Sequence, residues 1–167
     1  YRSLMRYEGG IYDTESLSGR LKVDYKHIFA QFFAWMEVSA AKSGSDMTYG
    51  SRINEQGLSE MMMVHQPNSN SNIQVRGNLR KDFDWKKLSM ETTATWSHGN
   101  NQYLRQDVLT RSSSNAYAVD GKLSMEVSKW LELNYNIRWN RYRSNTEDGL
   151  SRISTESCSN QLLLNTT

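Results

Sequence analysis

Between residues 17 and 25 the chain alternates strictly. Leu17, Gly19, Leu21, Val23 and Tyr25 stand at one parity, and Ser18, Arg20, Lys22 and Asp24 at the other. Period two is the mark of a strand with one apolar and one polar face. Ile73, Val75, Gly77 and Leu79 repeat it against Gln74, Arg76, Asn78 and Arg80. Leu131, Leu133, Tyr135, Ile137 and Trp139 repeat it against Glu132, Asn134, Asn136 and Arg138. A helix would scatter those apolar residues around its circumference, so these segments are strands. Leu88, Met90, Thr92, Ala94 and Trp96 show the pattern more weakly, and in "AQFFAWMEVSAAK" two phases compete, Phe32, Ala34, Met36 and Val38 against Phe33 and Trp35. The pattern predicts strands over 16–26, 30–42, 71–81, 86–97, 114–127 and 131–143, with weaker candidates over 58–65 and 158–166.

One unit recurs. "GRLKVDY" from Gly19, "GNLRKDF" from Gly77 and "GKLSMEV" from Gly121 share a glycine, a leucine two residues on, an acid and a final apolar residue. An aromatic follows each copy: Phe29, Trp85 and Trp130. Asp120-Gly121 has the composition of a tight hairpin tip. However, the run Tyr117, Val119, Gly121, Leu123, Met125, Val127 passes through it in one phase, and the other copies have Ser18 and Arg76 before their glycines. The expectation is a strand continuing through Gly121, with the glycine marking a bulge or bend.

These strands are longer than the five or six residues usual in soluble sheets, and match the roughly 9–11 tilted residues that cross a bilayer. Leu131 to Trp139 covers about 27 Å of strand, or roughly 20 Å of height at a tilt near 40°. Short turns near 27–29, 82–85 and 128–130 alternate with long polar segments at 43–57, 97–115 and 144–157, which read as loops. Short turns on one side and long loops on the other are the asymmetry of outer-membrane barrels. The predicted fold class is therefore all-β: antiparallel, up-and-down transmembrane strands forming a segment of a larger barrel. About six to eight strands occupy 16–167, and 1–15 is a loop or partial strand.

On this reading Leu21, Val23, Tyr25, Val75, Leu79, Leu88, Met90, Leu123, Met125, Leu133, Tyr135 and Ile137 face lipid. Phe29, Trp85 and Trp130 beside the short turns, with Trp96 and Trp139 near the far ends, are interfacial aromatics. Arg20, Lys22, Arg76, Arg80, Glu132 and Arg138 line a hydrated lumen. A one-residue slip would carry Arg20, Lys22 and Asp24 into hydrocarbon, at about 2–4 kcal/mol for each basic residue near the midplane.

Composition sharpens the picture. The 167 residues are only 37% hydrophobic, yet they include five Trp, nine Tyr, four Phe and eight Met, too many large apolar side chains for a disordered chain. A net charge of +2 gives no nucleic-acid footprint. Cys158 is the one cysteine, so there is no internal disulfide framework. Residues 1–20 lack the order of a secretory leader, and no apolar run is long enough for a transmembrane helix. The chain opens on "YRSLMRYEGG" and stops on "QLLLNTT", which we read as a segment of a longer protein.

"GKLSMEVSKWLELNYNIRWNRYRS" and "GNLRKDFDWKKLSMETTATWSHG" resemble the outer-membrane barrel domain of TonB-dependent receptors, in particular those with a carboxypeptidase-regulatory-like leader domain. The resemblance extends over about 16–167 and carries no substrate information. It implies a barrel of about 22 strands with a plugged lumen, in the outer membrane of a Gram-negative bacterium. Its partners would be outer-membrane lipid, an inner-membrane energising complex and an extracellular nutrient ligand.

Candidate chemistry is sparse. His27, His65 and His98 fall in a turn, a weak strand and a loop without metal-ligand spacing. No phosphate loop, nucleophile elbow or Cys-His pair occurs, so neither catalysis nor a cofactor or metal is expected. Asp24, Glu91, Asp120 and Glu132, interspersed with basic residues, read as a mixed-charge wall, and "MMMV" at 61–64 as lipid-facing or packing methionine. Tyr49 and Tyr103 are ordinary loop tyrosines. Two rival readings are a complete small structural or adhesion barrel in the outer membrane, and a soluble β-sandwich binding module.

Overall fold

The computed structural model describes residues 4–7, 13–53, 55–147, 149 and 151–166. It is a single sheet of β1 (Leu4–Tyr7), β2 (Thr14–His27), β3 (Phe32–Ile53), β4 (Ser59–Phe83), β5 (Leu88–Arg105), β6 (Val108–Ser128), β7 (Leu131–Thr146) and β8 (Arg152–Thr166), with a 3-10 turn at Trp85–Lys87. The seven long strands run up and down, each antiparallel to the next in sequence. The sheet is open: among the described residues β2 pairs only with β3 and β8 only with β7. Among the described residues no helix is long and apolar enough to cross a membrane. Of the segment 1–15, residues 4–7 form β1 and 14–15 begin β2, while 1–3 and 8–12 lie outside the described residues.

Every predicted strand is present, and most are longer than their patterns. The segments 58–65 and 71–81 are parts of one strand, the 25-residue β4. Pro67 lies at the register shift between Ser45 and Met47, where a missing N–H is tolerated and the ladder carries on past it. The polar segments read as long loops are largely strand as well. β3 continues to Ile53, and β5 and β6 pair down to Arg105 and Val108, leaving a two-residue turn at Gln106 and Asp107 with φ of 49° and 63°. β7 runs to Thr146 and β8 starts at Arg152. His98, Tyr49 and Tyr103 are therefore strand residues. With no apolar face beyond residue 42 or 97, the period-two signal vanishes while backbone pairing carries on.

β6 passes straight through Gly121, as expected, but without a bulge. The register is continuous there, with Thr92 on one side and Ile137 on the other. A Cβ at Gly121 would stand 2.9 Å from Ile137 Cγ2, so the glycine makes room for its neighbour. The irregularities lie instead at Ser45/Met47 and at Glu126/Ser128. The three glycine units fall on β2, β4 and β6, which run in the same direction, so the repeat is one hairpin used three times.

At the end away from the short turns the sheet changes order. Gly50 and Ser51 of β3 pair in parallel with Leu104 and Arg105 of β5, while β4 takes β1 as its outer neighbour at Glu60–Met63. Lower down, β4 separates β3 from β5. The β3–β4 ribbon has thus turned over, using the strong twist that bulges and two-stranded ribbons allow. Met47, Met63 and Leu104 are buried there, and Thr48 is fully enclosed, donating to the Gln66 carbonyl at 2.5 Å. Met63 of the "MMMV" run is accordingly a packing residue.

Candidate functional site

Register fixes the faces, because cross-strand partners share a side. Tyr25, Ala34, Leu79, Thr92, Gly121, Ile137 and Asn160 form one continuous hydrogen-bonded row. Counting in twos from that row, Leu21, Val23, Val75, Leu88, Met90, Leu123, Met125, Leu133 and Tyr135 join Tyr25, Leu79 and Ile137 on one face. The competing phases of β3 are resolved by its partners: Met36 and Val38 stand opposite Val23 and Leu21, so Phe33 and Trp35 lie on the polar face.

Nothing in the described chain covers the apolar face. Leu21 is 67% exposed, Leu79 54%, Met36 52% and Leu164 61%. Each such side chain forgoes about 1.5–3 kcal/mol that burial would give, and water-soluble monomers rarely expose so large a contiguous patch. Phe29, Trp85 and Trp130 project from the three short turns, Phe29 entirely exposed. Trp96 pairs with Tyr117 and stacks on His98, while Trp139 donates its indole N–H to Glu156 at 2.9 Å.

The opposite face holds Arg20, Lys22, Arg76, Arg80, Glu132 and Arg138. Arg20 reaches Glu37 at 3.6 Å, Lys22 reaches Asp24 at 3.2 Å, Arg80 reaches Asp82 at 3.1 Å, and Arg138 pairs with Asp120 across β6 and β7. Glu132 accepts from Ser124 and Asn134, each at 3.1 Å. Asn78, buried among these strands, donates to Glu91 at 2.8 Å and Thr93 at 2.9 Å. Trp35 lies under two cations, Lys22 at 5.3 Å and Arg76 at 5.5 Å from the ring centre, a cation–π arrangement. Asn78 and Asp120 stand on the polar face as the sequence predicts, whereas Trp35 lay between two competing phases until the β2 register settled it.

The polar face carries hollows between its side chains. Hollows of about 770 Å³ around Glu91, Asp120, Arg138 and Gln161, about 440 Å³ around Arg20 and Ser39, and about 330 Å³ around Lys87, Glu126 and Glu132 open on it. Beside the short turns Lys87 meets Glu126 at 2.5 Å, and this hydrogen bond raises the lysine pKa. No group of three or more His, Cys, Asp or Glu among the described residues could hold a metal. The arrangement supplies a mixed-charge, internally ion-paired wall.

No family model, curated protein or solved structure matches the chain. The geometry therefore stands alone.

The far-end tips of the two ribbons are tied by Arg52, which reaches Glu60 at 3.2 Å and Asp107 at 3.6 Å. Its pKa is raised, first by the hydrogen bond to Glu60. The Gln106 amide donates to the Ser51 carbonyl at 3.2 Å in the same junction. Arg52→Ala is expected to speed hydrogen exchange at the Gln106 amide about two- to fivefold, the size of a partly exposed ion pair's effect. Amide exchange by NMR or mass spectrometry reads this directly.

Proposed function

We propose that this chain is part of the barrel wall of an energised outer-membrane uptake receptor of the TonB-dependent kind. The observation that carries the reading is the long apolar face that no part of the described chain covers. One face is charged and internally ion-paired, whereas the other is apolar and uncovered. A water-soluble barrel or sandwich turns its apolar face inward. A membrane barrel reverses this, with hydrocarbon outside and water within. Strand length and the aromatics Phe29, Trp85 and Trp130 at one end of the sheet support the same reading. The uptake role rests on the resemblance of the two quoted hairpins, and the ligand could be a glycan, a peptide or a metal chelate.

Cell fractionation tests the membrane part. The protein is expected in the outer-membrane fraction, resistant to alkaline carbonate and soluble only with detergent. Recovery as a monodisperse, detergent-free species would favour a soluble binding module. Deleting the gene is expected to abolish growth on one class within a panel of glycans, peptides and metal chelates supplied as sole sources. Unchanged growth on every class would favour a structural barrel.

A further inference from the structure

On β7 and β8 the apolar band gives way, toward the far end, to arginine. The ladders joining β5 to β8 keep one register from the apolar rows outward, so the face can be followed by parity. Tyr117 and Trp139 close the apolar part. Beyond them come Arg141 and Arg143 on β7 and Arg152 on β8, with Glu156 the one acid on this stretch of the two strands. Arg111 lies farther out on β6, its carbonyl accepting from the Glu147 amide. The same face on β2, β3 and β4 continues through Glu15, Lys42, Gly44, Ser69 and Ser71, one base against one acid. The cations are gathered at one place.

Arg143 follows Arg141 by two residues, about 7 Å along the strand, and Arg152 stands opposite Asn145, diagonal to Arg143 at about 7–8 Å. At that spacing three guanidinium groups can converge on one small anion. Without an anion they repel one another. The protein itself supplies little counter-charge. Glu156 comes only to 4.0 Å from Arg141 Nε, and its carboxylate accepts the Trp139 indole N–H at 2.9 Å. Arg141 Nε is enclosed without a hydrogen-bond partner. A phosphate answers this arrangement, since guanidinium groups grip its oxygens in pairs through charge-assisted hydrogen bonds.

The surroundings specify which kind of phosphate. On the near side of the arginines lies the uncovered apolar face, with Ile137 and Leu162 exposed. Asn115, Asn145 and Ser154 are the arginines' cross-strand partners, and their amides and hydroxyl match sugar hydroxyls. Hydrocarbon, phosphate and sugar would each meet a fitting stretch of one face, in the order in which a phosphorylated glycolipid carries them. We propose that Arg141, Arg143 and Arg152 bind the phosphate of such a lipid, its acyl chains along the apolar face and its sugars against Asn115, Asn145 and Ser154. This rests on the barrel-wall reading and adds to it a partner of defined chemistry at one place on the wall.

The full-length protein in phosphatidylcholine nanodiscs, titrated with diphosphoryl lipid A and followed by native mass spectrometry, tests this. Arg143→Gln and Arg152→Gln, both at exposed positions, are each expected to weaken binding about tenfold, the worth of one charged hydrogen bond. The Arg141→Gln/Arg143→Gln/Arg152→Gln variant is expected to abolish it. Lys42→Gln, on the same face but outside the cluster, should bind as the native chain does. Phosphatidylglycerol and inorganic phosphate should bind far more weakly than lipid A. Equal retention of lipid A by the triple variant would overturn the site. Equal affinity for phosphatidylglycerol would make it a general anionic-lipid surface, and equal affinity for inorganic phosphate a simple anion site, either of which overturns the glycolipid assignment. Insertion is scored separately, by co-elution with the nanodisc. A protein that stays outside sinks the barrel-wall reading itself, whereas an inserted protein indifferent to lipid A sinks only the glycolipid site.

Discussion

Met36→Arg is expected to cost about 2–4 kcal/mol of folding stability in lipid, the penalty for a basic side chain near the midplane of a barrel wall. Met36 is 52% exposed and is flanked by Val23 and Gly77 across the two ladders. In a sheet bathed by water such a substitution would stay within about 0.5 kcal/mol. Ser39→Arg, three residues on and at the opposite parity, is the control. Its side chain joins Arg20 and Gln74 on the charged face and is expected to be nearly neutral. Urea titration of folding into vesicles measures both. Equal, small shifts for the two would remove hydrocarbon as the partner of the apolar face.

Gly50→Val is expected to detach the two ribbon tips. A Cβ at Gly50 would lie 2.4 Å from Leu104 Cβ and 2.6 Å from the Leu104 carbonyl oxygen. Since a backbone atom is among the obstacles, no rotamer change relieves the clash, and overpacking of this kind costs about 1–3 kcal/mol. Met47 and Met63, both buried in that junction, should become oxidisable by dilute peroxide, and amide exchange should rise over 47–53 and 102–106. The ladder from Phe32 to Ser45 does not depend on this contact and should keep its protection. Unchanged methionine protection would show that the tips are held by other contacts.

Alternation made the apolar-faced part of β2, β4, β6 and β7 legible in the sequence, and that of β5 more weakly. At Leu131 to Trp139 one parity is wholly apolar and the other wholly polar, and no other periodicity fits. Beyond the band the same strands could not be read. At Gly44 to Arg52 or Asn100 to Arg105 both faces are polar, so pairing leaves no hydropathic trace and the segments looked like loops. The site was legible in its charges but not in its grouping. Arg138 was visible as a polar-face residue, yet its pairing with Asp120 needed the β6–β7 register, and Trp35 needed β2 to settle which of two phases β3 follows. The turning-over of the β3–β4 ribbon is set by contacts between residues some fifty positions apart, Gly50 with Leu104, and no local pattern announces it.

The up-and-down order also bears on assembly. Because each long strand's ladder partner is the next one along the chain, the entropy of closing distant loops hardly enters, and growth can proceed like a zipper, one hairpin docking on the last. Such a wall enlarges or shrinks in whole hairpins. Duplication or loss of a unit like Gly77 to Gly99 would change the width of the sheet by two strands while leaving the remaining neighbours in register.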